Sequence, residues 1–280
     1  MNQIAIYYFS GTGNSLHVAR ELEQRLPGTT LIPIVSLLDE ARIESGAETV
    51  GFVFPTYLTS VPAPVRQFLK KLDVSSSRYI FAVITRIGTF CVADTYVAKA
   101  LKKKGKTLDA SFILNMANNS PTGLKPVGDK NWTRQIMPEK IAALETAVQS
   151  MLDSIQECIV ARKKHFRPGS SALAAAFLEA VMSFLTENTK REIPFYTDST
   201  CNGCGICEKV CLANKIRMSD AKPVWDRGVP CYYCYACFNF CPVQAILVKK
   251  LYTEKNGRYF HPAVNAHDIG AQKVNRRTIP

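Results

Sequence analysis

The chain has 280 residues, enough for two domains that each bury a core of their own. With 47% hydrophobic and 21% charged residues its composition is that of an ordinary globular protein. The formal net charge of +12 would first suggest nucleic acid, but the basic residues are scattered and no nucleic-acid motif is present. An acidic protein partner is therefore expected, and nucleic acid is not.

The opening residues, MNQIAIYYFSGTGNS, lack the charged and apolar pattern of a signal peptide, so a cytoplasmic chain is expected. Apolar, β-rich runs follow at Ile4–Phe9, Thr30–Ile34, Val50–Phe54, Tyr79–Thr85 and Phe112–Met116. Helical patterns lie between them, at Ser15–Leu26, Val61–Leu72 and Val92–Lys104. A longer helix begins near Pro138, with Ile141, Leu144, Val148, Leu152, Ile155 and Ile159 on one face. Five strands alternating with helices predict an α/β fold, a doubly wound parallel sheet that binds its ligand at the carboxyl ends of the strands.

"HFRPGSS" at 165–171 breaks the pattern and closes a first domain at 1–165. The apolar stretch Ala172–Leu185 is too short for a membrane span and is interrupted by Glu179, so it reads as a packed helix within a connector, 166–193. A cysteine-rich domain at 194–250 and a tail at 251–280 complete the chain.

Directly after the first strand stands Ser10-Gly11-Thr12-Gly13-Asn14-Ser15. Hydroxyls and glycines at the start of a helix leave backbone N–H groups free for a phosphate, although a Gly/Ser turn without a ligand has the same composition. The stretch resembles the S/T-x-T-G-x-S/T loop of flavodoxins. That resemblance implies FMN, with Ser10, Thr12, Gly13, Asn14 and Ser15 at its phosphate. It also implies that the loops after the third and fourth strands meet the flavin ring, through Pro55, Thr56 and the stacking candidate Tyr57, and through Thr85, Arg86 and Gly88. A cation at Arg86 would favour the reduced, anionic flavin.

Eight of the ten cysteines lie within 201–241, in two runs thirty residues apart: CNGCGICEKVC at 201–211 and CYYCYACFNFC at 231–241. Each reads C-x2-C-x2-C-x3-C, which points to metal rather than to disulfides in a chain without a secretion signal. Zinc sites use two C-x2-C pairs, and a third cysteine in each half would be surplus. The spacing is identified as the bacterial two-cluster ferredoxin signature. The resemblance implies a small α+β domain with crossed ligation of two [4Fe–4S] clusters. Cys201, Cys204, Cys207 and Cys241 would hold one, and Cys231, Cys234, Cys237 and Cys211 the other. Leu212 departs from the signature, standing where the second run has Pro242. Cys91 and Cys158 read as inert thiols, and His17, His165, His261 and His267 as surface or structural residues.

Together the two motifs resemble a family of bacterial and archaeal proteins in which a flavodoxin-like domain is fused to a two-cluster ferredoxin domain. The expected function is electron transfer between the clusters and FMN, with a redox partner protein. A flavin-dependent reductase of a small molecule, fed by the clusters, is the alternative, and a zinc- or cluster-stabilised interaction protein without flavin is a third reading. No nicotinamide-binding fingerprint is present.

Overall fold

The computed structural model describes residues 3–57, 60–88, 91–120, 136–166, 177, 180–181, 192–249 and 257–274. Five strands form one sheet: β1 (Ile4–Tyr8), β2 (Thr29–Pro33), β3 (Thr49–Pro55), β4 (Tyr79–Arg86) and β5 (Ala110–Asn115). All pairings are parallel and the spatial order is β2-β1-β3-β4-β5, the flavodoxin-like strand order. The β1 strand and nearly all of β3 and β4 are buried, as a sheet covered on both faces requires. The edge strands β2 and β5 are partly exposed.

Helices α1 (Asn14–Arg25), α2 (Ala63–Lys71), α3 (Ala93–Lys102) and α4 (Pro138–Val160) cover the faces. The last of these buries Val148, Leu152, Ile155 and Ile159 from the anticipated apolar face. Because β1 has β2 on one side and β3 on the other, the strand order reverses at the carboxyl ends of β1 and β3. A crevice opens there, and it is where the loops of residues 9–15 and 55–57 emerge.

The cysteine-rich segment is a small α+β unit. It comprises β6 (Phe195–Thr197), α5 (Ile206–Val210), β7 (Ile216–Ser219), β8 (Lys222–Trp225), α6 (Ala236–Asn239) and β9 (Ile246–Val248). Strand β6 pairs antiparallel with β9 and β7 with β8. The thirty-residue repeat extends to the backbone. Left-handed residues recur as Gly203 and Tyr233 (φ 71° and 59°), Gly205 and Tyr235 (73° and 54°), and Asn214 and Gln244 (52° and 51°). A tyrosine in this region costs about 1–2 kcal/mol, so the fold of the second loop overrides local preference twice.

This unit packs on the sheet. Val210, Leu212, Ala236 and Phe240 belong to the same hydrophobic cluster as Phe9, Leu16 and Phe54. Tyr232 meets Phe9 edge-on, with centroids 6.2 Å apart. The departure of Leu212 from the signature acquires a reason here: it is 4% exposed within that shared cluster, whereas Pro242 is exposed. The apolar stretch Ala172–Leu185 and most of the 166–193 connector lie outside the described residues. No helix among the described residues is long and apolar enough to cross a membrane.

Residues 257–274, read in the sequence only as part of a tail, carry α7 (Ala266–Gly270) and a following 3-10 turn. The Asn265 side chain accepts from Asp268 N–H while the Asp268 carboxylate accepts from Asn265 N–H, a capping box that fixes the start of α7.

Candidate functional site

The loop between β1 and α1 is shaped for an anion. Gly13 precedes α1 at φ 102°, a conformation glycine adopts freely. The first turn of α1 has no acidic residue and no side-chain cap, so its N–H groups remain available. Ser10 Oγ accepts from Gly13 N–H at 3.1 Å, and Thr12 Oγ1 accepts from Asn119 Nδ2 at 2.8 Å. A hydroxyl has two lone pairs and one proton, so both retain a donor for a ligand. Ser15 Oγ pairs with Thr85 Oγ1 at 2.8 Å, linking the first loop to the end of β4.

These groups line a crevice together with Gly11, Asn14, Pro55, Thr56, Tyr57, Arg86, Ile87 and residues 117–119. The crevice is shallow and open to solvent, with a cavity volume of about 40 Å³. Of the residues anticipated from sequence, Gly13 lies just behind the loop and Gly88 is not among the lining residues; the others line the crevice. Arg86 is held by Asn115, its Nε donating to Oδ1 at 3.1 Å. Tyr57 Oη is buried without a hydrogen-bond partner among the described residues. Burial, and then the thiols of Cys234 and Cys231, hold its phenol well above the ordinary value, so it stays protonated. The crevice thus offers hydroxyl and N–H donors for a phosphate, and an unsatisfied phenol and a guanidinium in its walls, a set that fits a flavin mononucleotide.

The cysteines fall into two groups. Cys211, Cys231, Cys234 and Cys237 line one cavity with Lys215, Trp225, Tyr232 and Tyr235. Cys211 comes from the first run and the other three from the second. Elsewhere Cys207 lies close enough to Cys204 and Cys241 for each to act on its thiol. Burial first, then neighbouring thiols, raises Cys207 to about 11; burial, with Cys211 as the nearest thiol cause, raises Cys231 to about 11 as well. Crowded buried thiols of this kind cannot all ionise unless a cation or cluster accepts them. Tyr233 N–H points to Cys231 Sγ at 3.4 Å, and Ala245 N–H to Cys241 Sγ at 3.2 Å. Lys215, 4% exposed, donates to Glu192 and to the carbonyls of Asp226 and Val229, setting a buried cation beside Cys231. Of the two thiols outside the runs, Cys158 is buried and Cys91 half-buried, with burial pushing Cys91 up to about 11.

The phosphate loop and the second cysteine group touch. A Cβ on Gly11 would lie 2.6 Å from Cys234 Cβ and 2.8 Å from Tyr57 Oη. Only a glycine permits that approach.

The sequence did not mark the support behind the loop. Gln272, fully buried, accepts from Ser10 N–H at 3.0 Å and donates to Ser10 O at 2.8 Å. His261 N–H donates to Thr12 O at 2.8 Å, and Tyr259 Oη to Asn14 Oδ1 at 2.8 Å. Behind the loop His17 and His261 stack with centroids 3.9 Å apart, both facing Glu145. This trio has the residue types of a metal site. However, His261 Nδ1 accepts from Ala263 N–H at 3.2 Å, which puts the ring proton on Nε2, toward the carboxylate. The trio's ligand atoms lie within 4.8 Å of one another, and the hydrogen bonds to Glu145 tie it into a pin behind the loop. A buried glutamine and a half-buried aromatic run in a tail have no periodicity, so nothing local marked them.

No family model and no curated protein matches the sequence. Solved structures match over about half of it. An azoreductase from Bacillus anthracis str. Sterne is 12% identical, covering 56% of this chain and 99% of that one, with a TM-score of 0.37. Rubredoxin oxygen:oxidoreductase from the anaerobe Desulfovibrio gigas is 13% identical over 57% of this chain and 37% of that one, with a TM-score of 0.32. At such scores the likeness carries no functional weight, and the fold rests on the strand order itself.

Proposed function

We propose that this chain is an electron-transfer protein holding two [4Fe–4S] clusters and one FMN, and that it exchanges single electrons with an acidic redox partner protein. The observation that carries the reading is that Cys211 shares a cavity with Cys231, Cys234 and Cys237, and that Cys234 lies against the loop at Gly11. When bound, the clusters move one electron at a time and the flavin takes up two. Cys201, Cys204, Cys207 and Cys241 would hold one cluster, and Cys211, Cys231, Cys234 and Cys237 the other.

The cysteine count favours clusters over zinc: zinc sites use two C-x2-C pairs, and the third cysteine of each run would be surplus. The chain's own groups then do three things. Ser10, Thr12, Ser15 and the N-terminal turn of α1 bind the phosphate. Arg86 supplies positive charge at the far end of the crevice, favouring a reduced, anionic ring. Tyr232, Tyr235, Phe195 and Trp225 keep water from the second cysteine group, which lowers the local dielectric. Cys204 is exposed and marks the face where a redox partner would dock.

The test is the iron, acid-labile sulfide and flavin content of protein isolated without oxygen. About eight iron, eight sulfide and one FMN per chain are expected. Zinc in place of iron overturns the reading, and full iron without flavin removes its FMN half.

A further inference from the structure

Tyr57 lies where the crevice meets the second cysteine group, and its ring is fixed there. Its backbone N–H donates to Ser60 O at 3.0 Å and its carbonyl accepts from Ser60 N–H at 3.1 Å. Phe9 packs against the ring edge-on at 6.1 Å and 80°. The hydroxyl at its tip is buried with no partner among the described residues. Leaving a buried hydroxyl unsatisfied is destabilising, and a protein keeps one where something accepts its proton. Across Gly11 its neighbour is Cys234: hydroxyl and Cys234 Cβ lie 2.8 Å and 2.6 Å from the same point, the position a Gly11 Cβ would take.

We propose that Tyr57 donates its phenolic hydrogen bond to sulfur of the cluster held by Cys211, Cys231, Cys234 and Cys237, at or beside Cys234, and thereby raises the reduction potential of that cluster alone. This rests on the cluster assignment proposed above. The chemistry is that of any hydrogen bond to a cluster sulfur. The reduced cluster carries one more negative charge than the oxidised one, so a donor stabilises the reduced form more and moves the potential upward. Backbone N–H groups of Tyr233 and Ala236 already serve Cys231 and Cys234, and Tyr57 would add a side-chain donor from the first domain. The second group's sulfurs are buried among aromatic rings, and a low dielectric disfavours the added electron. Cys204, at the other group, is exposed and has water for that purpose. Tyr57 is thus a tuning residue that belongs to the first domain and acts on the second. The potential of the cluster nearest the flavin crevice would rise only while the two remain docked.

Tyr57→Phe removes the hydroxyl and keeps the ring, so folding is preserved. The experiment is a potentiometric titration followed by electron paramagnetic resonance, on the full chain prepared without oxygen, with flavin dissociation measured alongside. One cluster is expected to shift to a more negative potential while the other stays in place, with iron content unchanged. If neither potential moves, or both move equally, the proposal is overturned. A weakened flavin with both cluster potentials unmoved would also overturn it, assigning the hydroxyl to the flavin instead. Absence of iron from the unsubstituted protein would be a different failure, that of the cluster assignment, and is read before any variant is made.

Discussion

At the scale of single residues, the closest approach around the candidate site is at Gly11. Its backbone is not in the left-handed region, so the demand is for space: Cys234 Cβ, Cys234 O and Tyr57 Oη all lie within 2.9 Å of where a side chain would begin. Gly11→Ala must push the cysteine loop off the phosphate loop. Overpacking of this kind costs about 1–3 kcal/mol. The expected result is a lower melting temperature together with weaker FMN retention, measured by thermal unfolding and by flavin fluorescence after dilution. A variant that melts like the parent would show that the two loops do not touch in solution. Tyr233 and Tyr235 carry the opposite lesson. They stand where the first run has glycines, and they keep the same backbone because the loop must aim N–H groups at sulfur.

At the scale of elements, the tail segment 257–274 is part of the site. Its Gln272 amide closes a two-bond ring with the backbone of Ser10, and both partners are buried. Gln272→Ala leaves a buried N–H and C=O of Ser10 unpaired, at about 1–3 kcal/mol for each group left unsatisfied. Because Ser10 opens the phosphate loop, FMN affinity is expected to fall about tenfold or more while iron content stays at the parental level. Isothermal titration with FMN and an iron assay on the same sample measure both. Loss of iron and flavin together would mean that the tail supports the whole fold rather than the loop. Leu212 acts at this scale too: where the second run has an exposed proline, it joins Val210, Ala236 and Phe240 in packing the cysteine unit onto the sheet.

At the scale of the whole molecule, α1, α4 and the tail are joined behind the loop by His17, Glu145 and His261, with Gln149 donating to the same carboxylate at 2.7 Å. Burial, then the neighbouring His17, holds His261 below its ordinary 6.5, with Glu145 and Glu21 pulling the other way. Against the upward pull of burial, hydrogen bonds from Gln149 and His17 hold Glu145 below its ordinary 4.5. For a histidine with a depressed folded-state pKa the unfolded chain binds more protons below 6.5, so stability rises with pH through that window. Glu145 adds a loss of the same sign at lower pH, as its carboxylate is protonated. The melting temperature is therefore expected to drop as pH falls from 7 to 5. His261→Gln, which keeps a donor toward Glu145 and removes the titration, should flatten that drop. An unchanged slope in the variant would take His261 out of the account.

The parallel sheet was legible because strands buried on both faces read as continuous apolar runs, and the cysteine runs because ligand spacing is local and written in one residue type. The turn at residues 9–13 was legible for the same reason: it joins one strand to the next helix within a few residues. What only the tertiary structure decided is how distant segments meet. It brought Cys211 to Cys231, Cys234 to Gly11, Gln272 to Ser10, and His261 and Glu145 to His17. Those meetings depend on how two packed units and a tail come together, a matter of shape and burial summed over many side chains. No short stretch of sequence holds that sum.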